Sequence, residues 1–204
     1  MMRRILILAV AAFTAIALSS CDKENPESSS NIIGTWQNCK IEYVFNGENV
    51  GSEDLSGVNY PKMTFGEDGY METIAEMDGE DSGLPVSVPY YYSSKDKTLT
   101  LTLMVFKYVM TVENLTSTDL VLTLDYTRNS ALFGDSTVGK AVDTYKGVKI
   151  YEYEDDGISI GFCYKANGKV IPCDKMSEDD IDGTFTGDIN CYYDKSTAYF
   201  MRVK

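Results

Sequence analysis

There is no histidine anywhere in the chain. That absence removes the usual general base, the Ser-His and Cys-His nucleophile pairs and the commonest zinc ligand. Hydrolytic chemistry would have to run on carboxylates alone, as it does in glycosidases. Here the carboxylates gather in turn-like clusters such as GEDSG, YEDDG and SEDDIDG, where solvated loops account for them. The five cysteines contain no C-x-x-C pair, which argues against zinc-ribbon and thioredoxin-like chemistry. Positive charge is scarce too: 18 Lys and Arg against 31 Asp and Glu give a formal charge of −13. Such a surface repels nucleic acid and anionic headgroups. The expectation is a protein that is not an enzyme, carries no cofactor or metal, and acts by holding or touching something.

Long apolar runs are missing except at the start. Arg3 and Arg4 precede an apolar stretch from Ile5 to Leu18, and Ser19 and Ser20 lead into Cys21. The run falls short of the ~20 residues that cross a bilayer and ends in small residues, the pattern of a secretory signal peptide. Leu18-Ser19-Ser20-Cys21 resembles a bacterial lipobox. The resemblance implies that Cys21 is lipidated and becomes the new N-terminus, so that residues 1–20 are a signal peptide and 21–31 a lipidated, polar tether. Removing Arg3 and Arg4 takes the formal charge to −15. Stable anchoring needs more than one acyl chain, and a lipobox cysteine carries at least two. The expected place is the bacterial cell envelope, anchored to the membrane through Cys21 on the periplasmic or surface face of the outer membrane. The acidic residues after Cys21 resemble surface-export signals in some bacteria and inner-membrane retention signals in others, so both membranes stay open.

Cys39, Cys163, Cys173 and Cys191 remain in an exported domain, where disulfides are the ordinary expectation. Cys163 and Cys173 flank the turn signal Asn167-Gly168 and form the candidate pair. A two-residue turn sets Cys163 opposite Pro172, one residue off, so the bond requires a bulge or a longer loop. Free thiols packed as small apolar residues are the alternative.

What is abundant is strand chemistry. TLTLTLM from Thr98 alternates strictly, KYVMTVE follows with Tyr108, Met110 and Val112 in phase, and DLVLTLDY carries Leu120, Leu122 and Leu124. These predict a three-stranded meander. Gly66-Glu67-Asp68-Gly69 predicts a four-residue hairpin loop. Residues 127–147 read as a short helix or a long loop, and further strand-like runs follow to the C-terminus. Many short strands with turns between them predict a sandwich or barrel. EDDIDGTF from Glu178 fits part of a calcium loop, but Ile189 stands where a bidentate Glu is needed, so a solvated turn or a short helix starting at Ser177 is expected.

Gly34-Thr35-Trp36 at the head of a long strand, followed by MTFGEDG, YYYSSKDKTLTLTL and YVMTVENLTSTDLVL, resembles the bacterial lipocalin-like domains found on small lipoproteins. The match runs from about Ile32 to Tyr126. It implies an all-β, antiparallel up-and-down barrel over residues 32–204 with extra C-terminal strands. Gly34, Trp36 and Arg202 would close it, the arginine packing across the indole. Trp36 is out of phase with Cys39, Ile41, Tyr43 and Phe45, so a bulge near Gln37 and Asn38 is expected. The inward set would hold a small apolar or amphipathic ligand: Tyr43, Phe45, Phe65, Leu101, Tyr108 and Leu122 are the candidates. The competing reading is a protein-interaction or inhibitor module with a packed core, its protein partner undefined. A glycan-binding subunit resting on the 15 tyrosines is a third.

Overall fold

The computed structural model describes residues 32–58, 62–77, 80–104, 106–130, 137–155 and 158–203, with side chains outside 74–84 and 155. Cys21, the signal peptide expected over residues 1–20 and the tether expected over 21–31 all lie outside them. Fifteen strands follow in chain order: β1 (Gly34–Phe45), β2 (Glu48–Asp54), β3 (Lys62–Phe65), β4 (Tyr70–Met77), β5 (Glu80–Ser93), β6 (Thr98–Leu103), β7 (Phe106–Leu115), β8 (Asp119–Asp125), β9 (Thr137–Tyr145), β10 (Val148–Asp155), β11 (Ile158–Ala166), β12 (Lys169–Lys175), β13 (Thr184–Gly187), β14 (Tyr192–Tyr193) and β15 (Lys195–Arg202).

Eight of them close an antiparallel up-and-down barrel in the order β1-β3-β4-β5-β6-β7-β8-β15, and β1 seals it by pairing with both β3 and β15. The meander β6-β7-β8 forms as its alternation dictates: Leu99 faces Met110, which faces Leu124, and Val112 faces Leu122. Threonines take the outer face. The GEDG loop joins β3 to β4, with Gly69 at φ +83°, a conformation that costs a side chain far more than it costs glycine.

β1 does two jobs. Its first half, Gly34 to Gln37, pairs with β3, and its second half, from Lys40 to Phe45, pairs with β2. β2 and β13 thus extend the barrel wall as a flap beyond the closed part. The expected bulge is present but sits at Cys39, between Asn38 and Lys40 in the β15 register. Trp36 and Asn38 are buried before it, and Ile41, Tyr43 and Phe45 after it. Cys39 falls out of the inward set, and its thiol donates to the Tyr199 carbonyl at 3.1 Å.

The extra strands expected in the C-terminal part are present, inserted ahead of the last barrel strand. β9 to β12 and β14 form a five-stranded sheet, ordered β14-β12-β11-β10-β9, between barrel strands β8 and β15. The segment read as a helix or loop holds β9, after a tight turn at residues 126–129. Asn129 closes that turn. Its buried amide accepts from Val109 N at 2.7 Å and donates to Val109 O and Asp125 O at 2.9 and 2.8 Å, continuing the barrel ladder where β8 has ended.

Candidate functional site

The barrel has a floor. Trp36 is fully buried, is paired directly with Arg202, and donates its indole N–H to Ile32 O at 2.7 Å. The Arg202 guanidinium lies 4.3 Å from the indole centroid and donates through Nη1 to Ile33 O at 2.7 Å. Gly34 has φ +126°, and a Cβ there would sit 2.5 Å from Arg202 Nη1. Glycine is needed at that position both for its backbone conformation and for the space the guanidinium takes.

Above the floor the interior divides. Along β8 and β15 it is solid: Leu120, Leu122, Leu124, Ala198 and Phe200 are each at most 5 % exposed. Toward the far ends of β5, β6 and β7 it loosens. Leu101 and Leu103 face inward yet are half-buried, and so is Tyr90, whose hydroxyl donates to Gly66 O at 2.7 Å. Tyr108 pairs with Leu101 on the inner face and is 8 % exposed. Of the six candidate ligand contacts, the barrel therefore groups Phe65, Leu101, Tyr108 and Leu122.

Tyr43 and Phe45 are placed elsewhere, which corrects the single inward set expected from phase. They lie on the part of β1 that pairs with β2, beyond the closed barrel, and pack against the inserted sheet. The Phe45 ring meets Tyr164 at 4.8 Å and Tyr145 at 5.2 Å, and Tyr43 meets Tyr193 at 4.9 Å.

This junction is held by carboxylates and tyrosines. Asp194 accepts from the Tyr164 hydroxyl at 2.5 Å and Asn46 N at 2.7 Å. Buried Glu53 accepts from the Tyr43 hydroxyl at 3.1 Å and from Asp182 N and Gly183 N at 2.6 and 2.9 Å. The EDDIDG loop thus turns its amides inward to a carboxylate, the reverse of the oxygen lining that calcium needs. Ser177 caps a short 3-10 turn over Glu178–Asp180. Among the described residues no group of three or more Cys, Asp or Glu is placed to hold a metal ion.

Asp174 accepts long bonds of 3.4 Å from the hydroxyls of Tyr126 and Tyr193. Burial, with repulsion from Asp180 added, pushes its carboxyl up from 3.8 to about 6. The folded value is the higher one, so the stability contributed by the neutral carboxyl is complete below pH 3.8 and is lost as pH climbs through about 6. Asp174→Asn should match wild type in a urea melt at pH 4 and exceed it by ~1–3 kcal/mol at pH 8. Equal stability at both pH values would count against a raised, neutral Asp174 carboxyl in the folded protein.

The cysteine pair is also corrected. All four described cysteines are free thiols. The β11–β12 ladder runs without a bulge, with Cys163 opposite Pro172 and Phe162 opposite Cys173. Directly opposed residues share a face and neighbours alternate, so the two thiols point to opposite sides of the sheet. Burial pushes the Cys163 and Cys191 thiols up to about 11, which keeps them protonated and poorly nucleophilic near neutral pH.

Residue reading missed Asp174, Asp194 and Glu53. A signal existed in YYD at residues 192–194, where a carboxylate follows two tyrosines between strand-like runs. A carboxylate in such a setting usually has a buried partner.

The fold and floor define a closed eight-stranded up-and-down barrel carrying an inserted second sheet. Compared with known proteins, the chain matches no family model, no curated protein and no solved structure.

Proposed function

We propose that this is a lipid-anchored lipoprotein of the bacterial cell envelope whose lipocalin-like barrel binds a small apolar or amphipathic molecule and catalyses nothing. One observation carries the reading. The interior is shut at one end by Trp36 and Arg202 and loosens at the other around half-buried, inward-facing Leu101 and Leu103. Barrels of eight strands are wide enough for a side-chain core or one modest ligand. The barrel is compatible with a lipocalin-like calycin fold.

The interaction-module reading draws support from one place. The β6–β7 hairpin tip exposes Met104 at 84 % and Phe106 at 45 %, an apolar knob beside the loosened end.

To test the carrier, chain 22–204, which contains every described strand, is purified and analysed by native mass spectrometry. Trp36 fluorescence is then followed during titration with apolar probes. A co-purified species or saturable binding at micromolar probe supports the carrier; neither, in a protein shown by its melt to be folded, favours the module. To test the anchor, growing cells are labelled with an alkyne palmitate analogue. Wild type should be tagged, whereas Cys21→Ala should lose both tag and membrane association. A Cys21→Ala protein that stays labelled and membrane-bound refutes lipidation at this residue.

A further inference from the structure

The chain enters the barrel at one end, and the loosened interior lies at the other. Ile32, the first described residue, is fully buried, and its carbonyl accepts the Trp36 indole N–H. Ile33 O accepts from the Arg202 guanidinium and Thr35 O from Val203 N at 2.9 Å, so the described chain both begins and ends at the floor. Successive loops of an up-and-down barrel alternate between its two ends. The loops at 66–69, 94–97 and 116–118 therefore surround the floor, the last of them fixed there by Arg202 N on Thr118 O at 2.8 Å. The β6–β7 tip, with exposed Met104 and Phe106 beside half-buried Leu103, stands at the opposite end.

The height of the barrel can be set against the reach of the tether. β7 has ten residues. At ~3.3 Å per residue and a tilt of roughly 40°, it separates the two ends by about 25 Å. A segment as long as residues 21–31 extends at most about 40 Å and spans roughly 18 Å as a flexible coil. A barrel lying floor-down on the lipid that holds Cys21 leaves such a segment relaxed. One lying mouth-down stretches it along the whole wall to reach Ile32. The floor loops also suit a headgroup layer, because they carry no large apolar side chain and hold both signs of charge, with exposed Lys95 and Lys97 beside Glu67, Asp68 and Asp96.

We infer that the floor end is the membrane-facing surface of this protein, resting against the headgroups of the bilayer that holds Cys21, and that the loosened end faces away from it. This rests on the lipid anchor proposed above and gives the carrier its direction of exchange. Ligand enters and leaves on the aqueous side, and the Met104 and Phe106 tip stands clear of the anchoring bilayer.

The test places the lipidated mature chain, 21–204, in zwitterionic nanodiscs doped with a gadolinium-chelating lipid and reads the paramagnetic broadening of its backbone amides. Amides of the loops at 66–69, 94–97 and 116–118 should broaden severalfold more than those of Met104 and Phe106. Chain 22–204 without lipid, added to the same nanodiscs, should show no such gradient. Equal broadening at the two ends of the lipidated chain, or stronger broadening at Met104 and Phe106, overturns the inference while the anchor stands. If the mature chain recovered from membranes carries no lipid on Cys21, the anchor and the inference fall together.

Discussion

Arg202→Ala lowers stability by ~2–4 kcal/mol in urea melts, while Arg128→Ala changes it by less than ~1 kcal/mol. The difference comes from what each guanidinium touches. Arg202 covers a fully buried indole at 4.3 Å and donates to Ile33 O, so its removal loses a desolvated cation–π contact and uncovers the floor of the barrel. A desolvated contact of that kind is worth up to about 2 kcal/mol, and a hydrogen bond to a charged donor adds a further 1.5–3. Arg128 is exposed and donates to Thr111 Oγ1 at 3.1 Å, a surface bond that water replaces. Arg202→Lys should recover little, because the flat guanidinium both stacks and reaches the carbonyl. Gly34→Ala should approach the loss at Arg202, since its methyl occupies the guanidinium's space. Equal effects at the two arginines would remove Arg202 from the floor.

The second large effect is expected where the inserted sheet meets the barrel. Asp194→Ala leaves the Tyr164 hydroxyl and Asn46 N without their acceptor, and Tyr164 is 2 % exposed. Stranding a buried donor costs ~1–3 kcal/mol, and more where the lost acceptor was charged, so a loss of about 3 kcal/mol is expected. Tyr164→Phe removes the same bond from the other side and should cost less, because it leaves no hydroxyl behind. The double variant should fall short of the sum by ~1 kcal/mol or more. Strict additivity in that cycle would mean that the 2.5 Å contact does not tie the sheet to the barrel.

Much of the barrel was legible because its strands obey simple period-two rules. Leu120, Leu122 and Leu124 are buried as their alternation demands, and GEDG forms the loop its glycines suit. Trp36 could be placed at the floor only through the family resemblance. Its phase mismatch with Ile41 correctly demanded a bulge, yet the position of that bulge at Cys39 depends on how β1 divides itself between β3 and β15, a tertiary matter. The same division hid the fate of Tyr43 and Phe45. Their phase matches a lumen, but the chain pairs that half of β1 with β2, so they meet the inserted sheet instead.

β9 was illegible for a different reason. TVGKAVDTY has glycine, lysine and aspartate where a buried strand would have apolar residues, because it is the outer, mostly exposed strand of its sheet. The β6–β7 turn gave no signal at all. Met104 adopts φ +56° in a hairpin where Asn or Gly is usual, and Leu-Met-Val-Phe reads as uninterrupted strand.

The claim that the barrel interior is a binding site is tested most directly by methyl and aromatic NMR of chain 22–204 with dodecanol. Intermolecular NOEs from the alkyl chain to the methyls of Leu101 and Leu103 and to the ring of Tyr108 are the expected result, with the outward threonines of β6 unmoved. NOEs confined to Met104, Phe106 or the outer wall, with Leu101 and Tyr108 silent, would contradict it.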